Sequence, residues 1–279
     1  MKKILIGALL LTGCALPVMA CTGISATAKD GGYVQARTIE WGDSYLPSQY
    51  VVIPCGHEMI SYTPKGMNGA KFRARYGVVG LSIVLKDFVV EGLNEAGLSA
   101  GLFYFPHYGN YPVYDAKQNT RTVADLQLVA WMLSQFSTIE EIKAAMQDIR
   151  VVPVDTTGAS STVHWRIGDA NGRQVVLEFV DGVPCFYENE ISVLTNSPGF
   201  PWQMTNLNNY VNLYPGGAEA HQLGGVTIFP FGAGSGFQGI PGDVTPPSRF
   251  VRAAFYKATA PQCATAYDAV LQSFHILNN

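Results

Sequence analysis

The residue best equipped for chemistry is Cys21, in Ala20-Cys21-Thr22-Gly23, where an apolar leader gives way to a globular sequence. A cut after Ala20 would leave Cys21 with a thiol and a free α-amino group on one residue. Such a residue is a self-contained acyl-transfer reagent. The thiolate attacks, and the amine, with an ordinary pKa of about 8, carries the proton without a histidine partner. The competing reading is that Cys21 is simply the first small residue after a leader, and the rest of the chain has to decide.

Residues 1–20 read as a secretory signal peptide: Lys2 and Lys3 ahead of an apolar run from Ile4 to Leu11, then the small-residue site Val18-Met19-Ala20. The run is too short to span a bilayer. A second cut is written into the same leader. Leu11-Thr12-Gly13-Cys14 resembles a bacterial lipobox, which would make Cys14 a lipid-anchored first residue and leave Cys21 without a free amine. The cut at Ala20 is preferred, because the sequence beyond it makes sense only with a free Cys21. The expectation is an exported protein, periplasmic or secreted, with residues 21–279 as one domain.

Removing 20 of the 279 residues leaves 259, enough for one large core. Charged residues are 14% and apolar ones 48% of the chain, with 29 Gly and 16 Pro, which describes a compact, loop-rich globule. A net charge of −3 without charge runs argues against nucleic-acid or anionic-membrane partners. No later segment has the roughly 18 consecutive apolar residues of a membrane-spanning helix. Cysteines 14, 21, 55, 185 and 263 include no C-x-x-C, and the five histidines are isolated, so no metal site is expected.

The elements that must position Cys21 follow from periodicity. Residues 22–28 and 33–39 read as strands around the turn Lys29-Asp30-Gly31-Gly32, a hairpin that returns Arg37 and Glu40 to the start of the domain. Strands are expected at 49–53, 76–85, 98–104, 163–169, 174–180, 183–187 and 191–195. Helices are expected at 123–136, at 139–149 behind the capping box of Thr138 and Glu141, at 248–259 and at 264–277. Residues 199–245, rich in Gly, Pro and Asn, read mainly as loops. Strands, a helix pair, strands and then helices make an α+β layered domain.

Six stretches now line up: Cys21-Thr22-Gly23; Arg37 with Glu40; Asn94-Glu95-Ala96-Gly97-Leu98; Leu194-Thr195-Asn196-Ser197-Pro198; the run from Pro241 to Phe250; and the ending Phe274-His275-Ile276-Leu277-Asn278-Asn279. Together they closely resemble the choloylglycine hydrolase family, the bile salt hydrolases and penicillin V acylases among the N-terminal-nucleophile hydrolases. The resemblance implies a four-layer αββα sandwich and hydrolysis of a non-peptide amide bond with neither metal nor organic cofactor. It also implies a small-molecule substrate, a conjugated bile salt, and a homo-oligomer, a tetramer. Family members run several tens of residues past the Asn-Asn pair, so the sandwich is expected to lack its C-terminal strands.

Carried over residue by residue, Cys21 is the nucleophile, and Arg37 is the cation beside the thiol, where it favours the thiolate. Glu40 stands where the family has aspartate and would hold the terminal ammonium, a role Asp43 could also fill. Asn196 would donate its amide N–H into the oxyanion hole, and Arg249 would support the nucleophile. The backbone N–H of Tyr104 would be the second oxyanion donor; tyrosine here is the penicillin V acylase habit rather than that of one bile salt hydrolase branch. Phe103, Phe105 and Tyr108 flank it and would suit a flat apolar acyl group, although they read equally well as core. The reaction expected is cleavage of a bile acid's amide to glycine or taurine. The alternatives are penicillin V hydrolysis and, in a different class, a lipid-anchored binding protein held by Cys14.

Overall fold

The computed structural model of the chain describes residues 19–41, 45–154 and 162–279. Asp43, Cys14 and the apolar leader of residues 1–18 lie outside them. Two antiparallel sheets face each other. The smaller contains β1 (Met19–Thr27), β2 (Tyr33–Trp41) and β10 (Val193–Leu194), in the order β10-β1-β2. The larger is a meander of seven strands. It comprises β3 (Ser48–Ile53), β4 (Val78–Ile83), β5 (Val89–Asn94), β6 (Ser99–Tyr104), β7 (Val163–Gly168), β8 (Gln174–Val180) and β9 (Val183–Glu188), each beside its neighbour in sequence.

Helices cover the outer faces. On the large sheet, α1 (Leu128–Gln135) packs against β5 and β6, and α2 (Ile139–Ala145) joins the same apolar cluster through Ile139 and Ile142. On the small sheet lie α4 (Pro246–Thr259) and α5 (Ala266–Leu277), against β1 and β2. The order is helix, sheet, sheet, helix: the expected αββα sandwich. Every residue of β7 is buried, as a strand covered on both faces requires. At the edge of the small sheet, β2 is the outer strand.

Most of the expected elements fall where periodicity puts them, with several differences. The helix expected at 123–136 begins at Leu128, because residues 122–124 pair as a short strand with residues 150–152. The strand Val89–Asn94 was not among the expected elements; Glu91-Gly92 interrupts its apolar run. A seven-residue helix, α3 (Phe200–Asn206), opens the region expected as loops, with a proline in its first turn. The capping box of α2 forms as expected, with Thr138 Oγ1 accepting from Glu141 N at 3.2 Å and Glu141 Oε2 from Thr138 N at 3.3 Å.

Alternation along β1 sets the site. Gly23 and Ser25 face the large sheet, where Ser25 Oγ accepts from Gln174 Nε2 at 2.6 Å, while Thr22 faces α4 and meets Arg249. The sheets approach closely at Gly23, where a Cβ would stand 2.5 Å from Phe103 Cζ and 2.8 Å from Arg166 Nη1. The ring is wedged beneath Arg37 and fully buried, so it has nowhere to retreat. Gly23→Ala should therefore destabilise the fold by about 2 kcal/mol, measurable as a lowered denaturation midpoint.

Candidate active site

Cys21 is 7% exposed and sits in β1 opposite Ile39 of β2. Its backbone nitrogen donates to Asn196 Oδ1 at 2.8 Å across 175 residues of sequence. Arg249, in the first turn of α4, ties Cys21, Thr22 and Asn196 together. Its Nη1 donates to Cys21 O at 2.5 Å and Thr22 Oγ1 at 2.7 Å, and its Nη2 to Asn196 Oδ1 at 2.8 Å. Burial pulls the Arg249 guanidinium below its usual pKa, and the charges of Glu40 and Cys21 act against that pull.

With its oxygen taken by two donors, the Asn196 carboxamide presents its nitrogen to β6. There Nδ2 donates to Tyr104 O at 2.7 Å. The ladder explains why that carbonyl is available. Phe105 N donates to Thr162 O, so Tyr104 and Val163 form the next, unbonded pair, and both backbone groups of Tyr104 point away from β7. On that side the β5–β6 ladder ends at Glu91 and Gly101. Tyr104 N–H is thus left free by both ladders, on the same side as the carbonyl that Asn196 Nδ2 reaches. This refines the expected role of Asn196: one amide hydrogen is committed to Tyr104 O, and its oxygen is the acceptor for Cys21 N.

Arg37 fills the gap where β5 and β6 separate. Its Nη1 donates to Leu102 O at 2.5 Å and Val90 O at 3.3 Å, while its guanidinium lies 4.2 Å above the Phe103 ring. Glu91 binds it from below at 3.6 Å and reaches Arg166 at 2.9 Å. Glycine at position 101 leaves room for that carboxylate, since a Cβ there would overlap Glu91 Oε2. Arg37 lines the same cavity as Cys21, although its hydrogen bonds go to strand carbonyls. Glu40 is exposed, opposite Ala20, and lines the cavity as well; among the described residues the acceptor of Cys21 N is Asn196 and not Glu40.

The cavity is aliphatic. It opens on Cys21 between Ile39, Leu46, Ile83, Val84, Leu102 and Leu126, with Tyr104 on one wall, and its space including the mouth is ≈ 1070 Å³. The aromatic acyl pocket expected from Phe103 and Phe105 is corrected here. Both are core residues, 0% and 1% exposed, because alternation turns them to the face opposite Leu102 and Tyr104. Phe105 stacks on His164 instead.

One buried acid, Asp125, also lines the cavity, and no motif announces it. Its Oδ1 accepts from Leu126 N at 2.8 Å and Val154 N at 3.2 Å, while burial raises its pKa from 3.8 to about 7. The folded chain thus keeps this proton over a range in which the unfolded chain has already lost it. Stability falls as pH rises from about 4 to about 7 and levels off above. Asp125→Asn keeps the acceptor and removes the titration, so the variant should gain stability relative to wild type at pH 8 compared with pH 4.5 in paired denaturant titrations.

Among the described residues no cluster of three or more His, Cys, Asp or Glu is placed to hold a metal, and no helix is long and apolar enough to cross a membrane. Cys21, Cys55, Cys185 and Cys263 are unpaired.

A buried cysteine thus sits in a sandwich strand with its backbone nitrogen held by a carboxamide that also reaches the Tyr104 carbonyl. Residues 21–279 match the family of linear amide C–N hydrolases, choloylglycine hydrolase family, and the chain belongs to that family. It is a hydrolase of amide C–N bonds. The chain is 32% identical over 263 residues to the bile salt hydrolase/transferase of Clostridium perfringens, covering 93% of this chain and 78% of that protein. It is 30% identical over 266 residues to the conjugated bile acid hydrolase of Lactobacillus acidophilus, covering 93% and 81%. The crystal structure of a variant conjugated bile acid hydrolase from Clostridium perfringens superposes with a TM-score of 0.78 at 29% identity, over 92% of this chain and 78% of that one. Penicillin V acylase from Agrobacterium tumefaciens shares the fold at a TM-score of 0.73 and 24% identity, over 92% and 71%.

Proposed function

We propose that this chain cleaves the amide bond joining a bile acid to glycine or taurine, with Cys21 as nucleophile. The observation that carries this is the largely aliphatic cavity opening on Cys21, which suits a large apolar acyl group. The Cys21 thiolate adds to the amide carbon, and Tyr104 N–H with Asn196 Nδ2–H receives the oxyanion. As the tetrahedral species collapses, the Cys21 ammonium gives a proton to the departing amine and a thioester forms. The free amine then takes a proton from water, whose oxygen attacks the thioester; the acid leaves and the thiol is regenerated. Arg249 and Asn196 hold the nitrogen and carbonyl of Cys21 throughout.

The amine exists only if residues 1–20 are removed, which we propose occurs on export. The charged start, apolar run and small-residue site of the leader support this, as does a family match that begins at Cys21. Intact mass of the purified protein tests it: a chain starting at Cys21 is expected, and a diacylglycerol adduct on Cys14 would point to the anchored binding protein. Tyr104 on the cavity wall favours a second substrate, penicillin V, with the same chemistry. Release of taurine and glycine from conjugated bile salts, compared with 6-aminopenicillanate from penicillin V, separates the two. Faster bile salt cleavage is expected, and no release from either substrate refutes both readings.

A further inference from the structure

Asn196 lies in a short connection from β10 to α3, and both ends of that connection are fastened by one buried pair. His164, on β7, is 0% exposed and Glu178, on β8, is 1% exposed. Their contact is 3.0 Å from Nδ1 to Oε1. The other ring nitrogen, Nε2, lies 3.0 Å from Thr195 O, the carbonyl immediately before Asn196. Glu178 Oε1 also accepts from Phe200 N, at the start of α3, at 2.8 Å. The His164 ring is fixed face to face on Phe105, 4.3 Å between centroids with 6° between planes.

Thr195 O can only accept, so Nε2 is the donor in that contact, and Nδ1 meets the Glu178 carboxylate on the other side of the ring. Apolar side chains would fill this space at least as stably as a buried pair. What they could not do is hold a carbonyl at 195 and an N–H at 200 together.

We infer that the His164–Glu178 pair is a clamp that holds Asn196 against the Cys21 nitrogen, so that both are positioning residues for the hydrolytic site. This rests on the reading of Cys21 and Asn196 given above. Neither residue lines the cavity, so neither is catalytic.

The test is the double variant His164→Phe/Glu178→Gln in the processed protein. Phenylalanine keeps the stack on Phe105, glutamine keeps an acceptor for Phe200 N–H, and no charge is left buried; Thr195 O alone loses its donor. The variant is expected to melt close to wild type. Its kcat for the cleaved amide should fall about tenfold to a hundredfold, with KM within about twofold, short of the loss of a whole oxyanion donor. The rate at which iodoacetamide alkylates Cys21 should fall with it. Glu178→Gln alone, read in the same way, serves if the double variant does not fold, because it removes the charge that holds the ring. Alkylation at the wild-type rate in a folded variant overturns the inference, whatever hydrolysis does. If wild type cleaves neither bile salts nor penicillin V, the proposed reaction falls, and the alkylation rates still decide the clamp.

Discussion

Cys21→Ser retains the fold and loses at least about a thousandfold in amide hydrolysis, because a hydroxyl with the same neighbours is almost never ionised near neutral pH. The side chain is small and 7% exposed, so exchanging sulfur for oxygen leaves the packing around Ile24 and Phe250 in place. A melting temperature within a few degrees of wild type, together with the lost turnover, separates chemistry from stability. Cys21→Ala should behave alike. A serine variant with a tenth or more of wild-type kcat/KM would mean that another group attacks the amide, and the assignment of Cys21 would be abandoned.

Glu91→Gln should be the most damaging single change outside the reacting groups. Glu91 is the shared counter-charge of Arg37 and Arg166, whose side chains are 6% and 0% exposed. Removing its charge leaves two buried guanidiniums facing each other between the sheets, at a cost of about 3 kcal/mol. For a chain of this size that lowers the melting temperature by roughly 10 °C. Activity should fall as well, because Arg37 closes the gap between Val90 O and Leu102 O beside the cavity. Glu188 supplies the contrast. It pairs with Arg173 at 2.7 Å and Lys143 at 3.2 Å, but its side chain is 51% exposed. Glu188→Gln should cost less than about 1 kcal/mol. Equal losses from the two variants would mean that the inter-sheet charges are solvated, contrary to their burial.

How much of this could be read from the sequence differs by kind of residue. Cys21, Arg37, Asn196 and Arg249 stand in local motifs, and all four reach the same corner of the sandwich. The strand period also places Gly23 and Arg37, which oppose each other across β1 and β2. What could not be read is which atom meets which. Asn196 offers Cys21 its oxygen rather than its nitrogen, a choice made by Arg249 arriving from a helix 53 residues later. Glu91 with Arg166, and His164 with Glu178, join strands through side chains buried between layers, and a strand pattern does not distinguish a buried charge from an outward one. Phe103 and Phe105 went the other way. Their neighbour Tyr104 carries the site, and a strand sends adjacent side chains to opposite faces.

The bond between Ala20 and Cys21 lies within the nine-residue pairing of β1 with β2, and both residues are buried. A peptidase needs an accessible, flexible stretch of chain, and paired interior strands are the opposite of that. Once the sandwich has closed, its own architecture shields that junction. Under the proposed processing, trimming would therefore have to come first, while the polypeptide is still open, and a molecule that folded beforehand would keep its α-nitrogen tied up in a peptide bond.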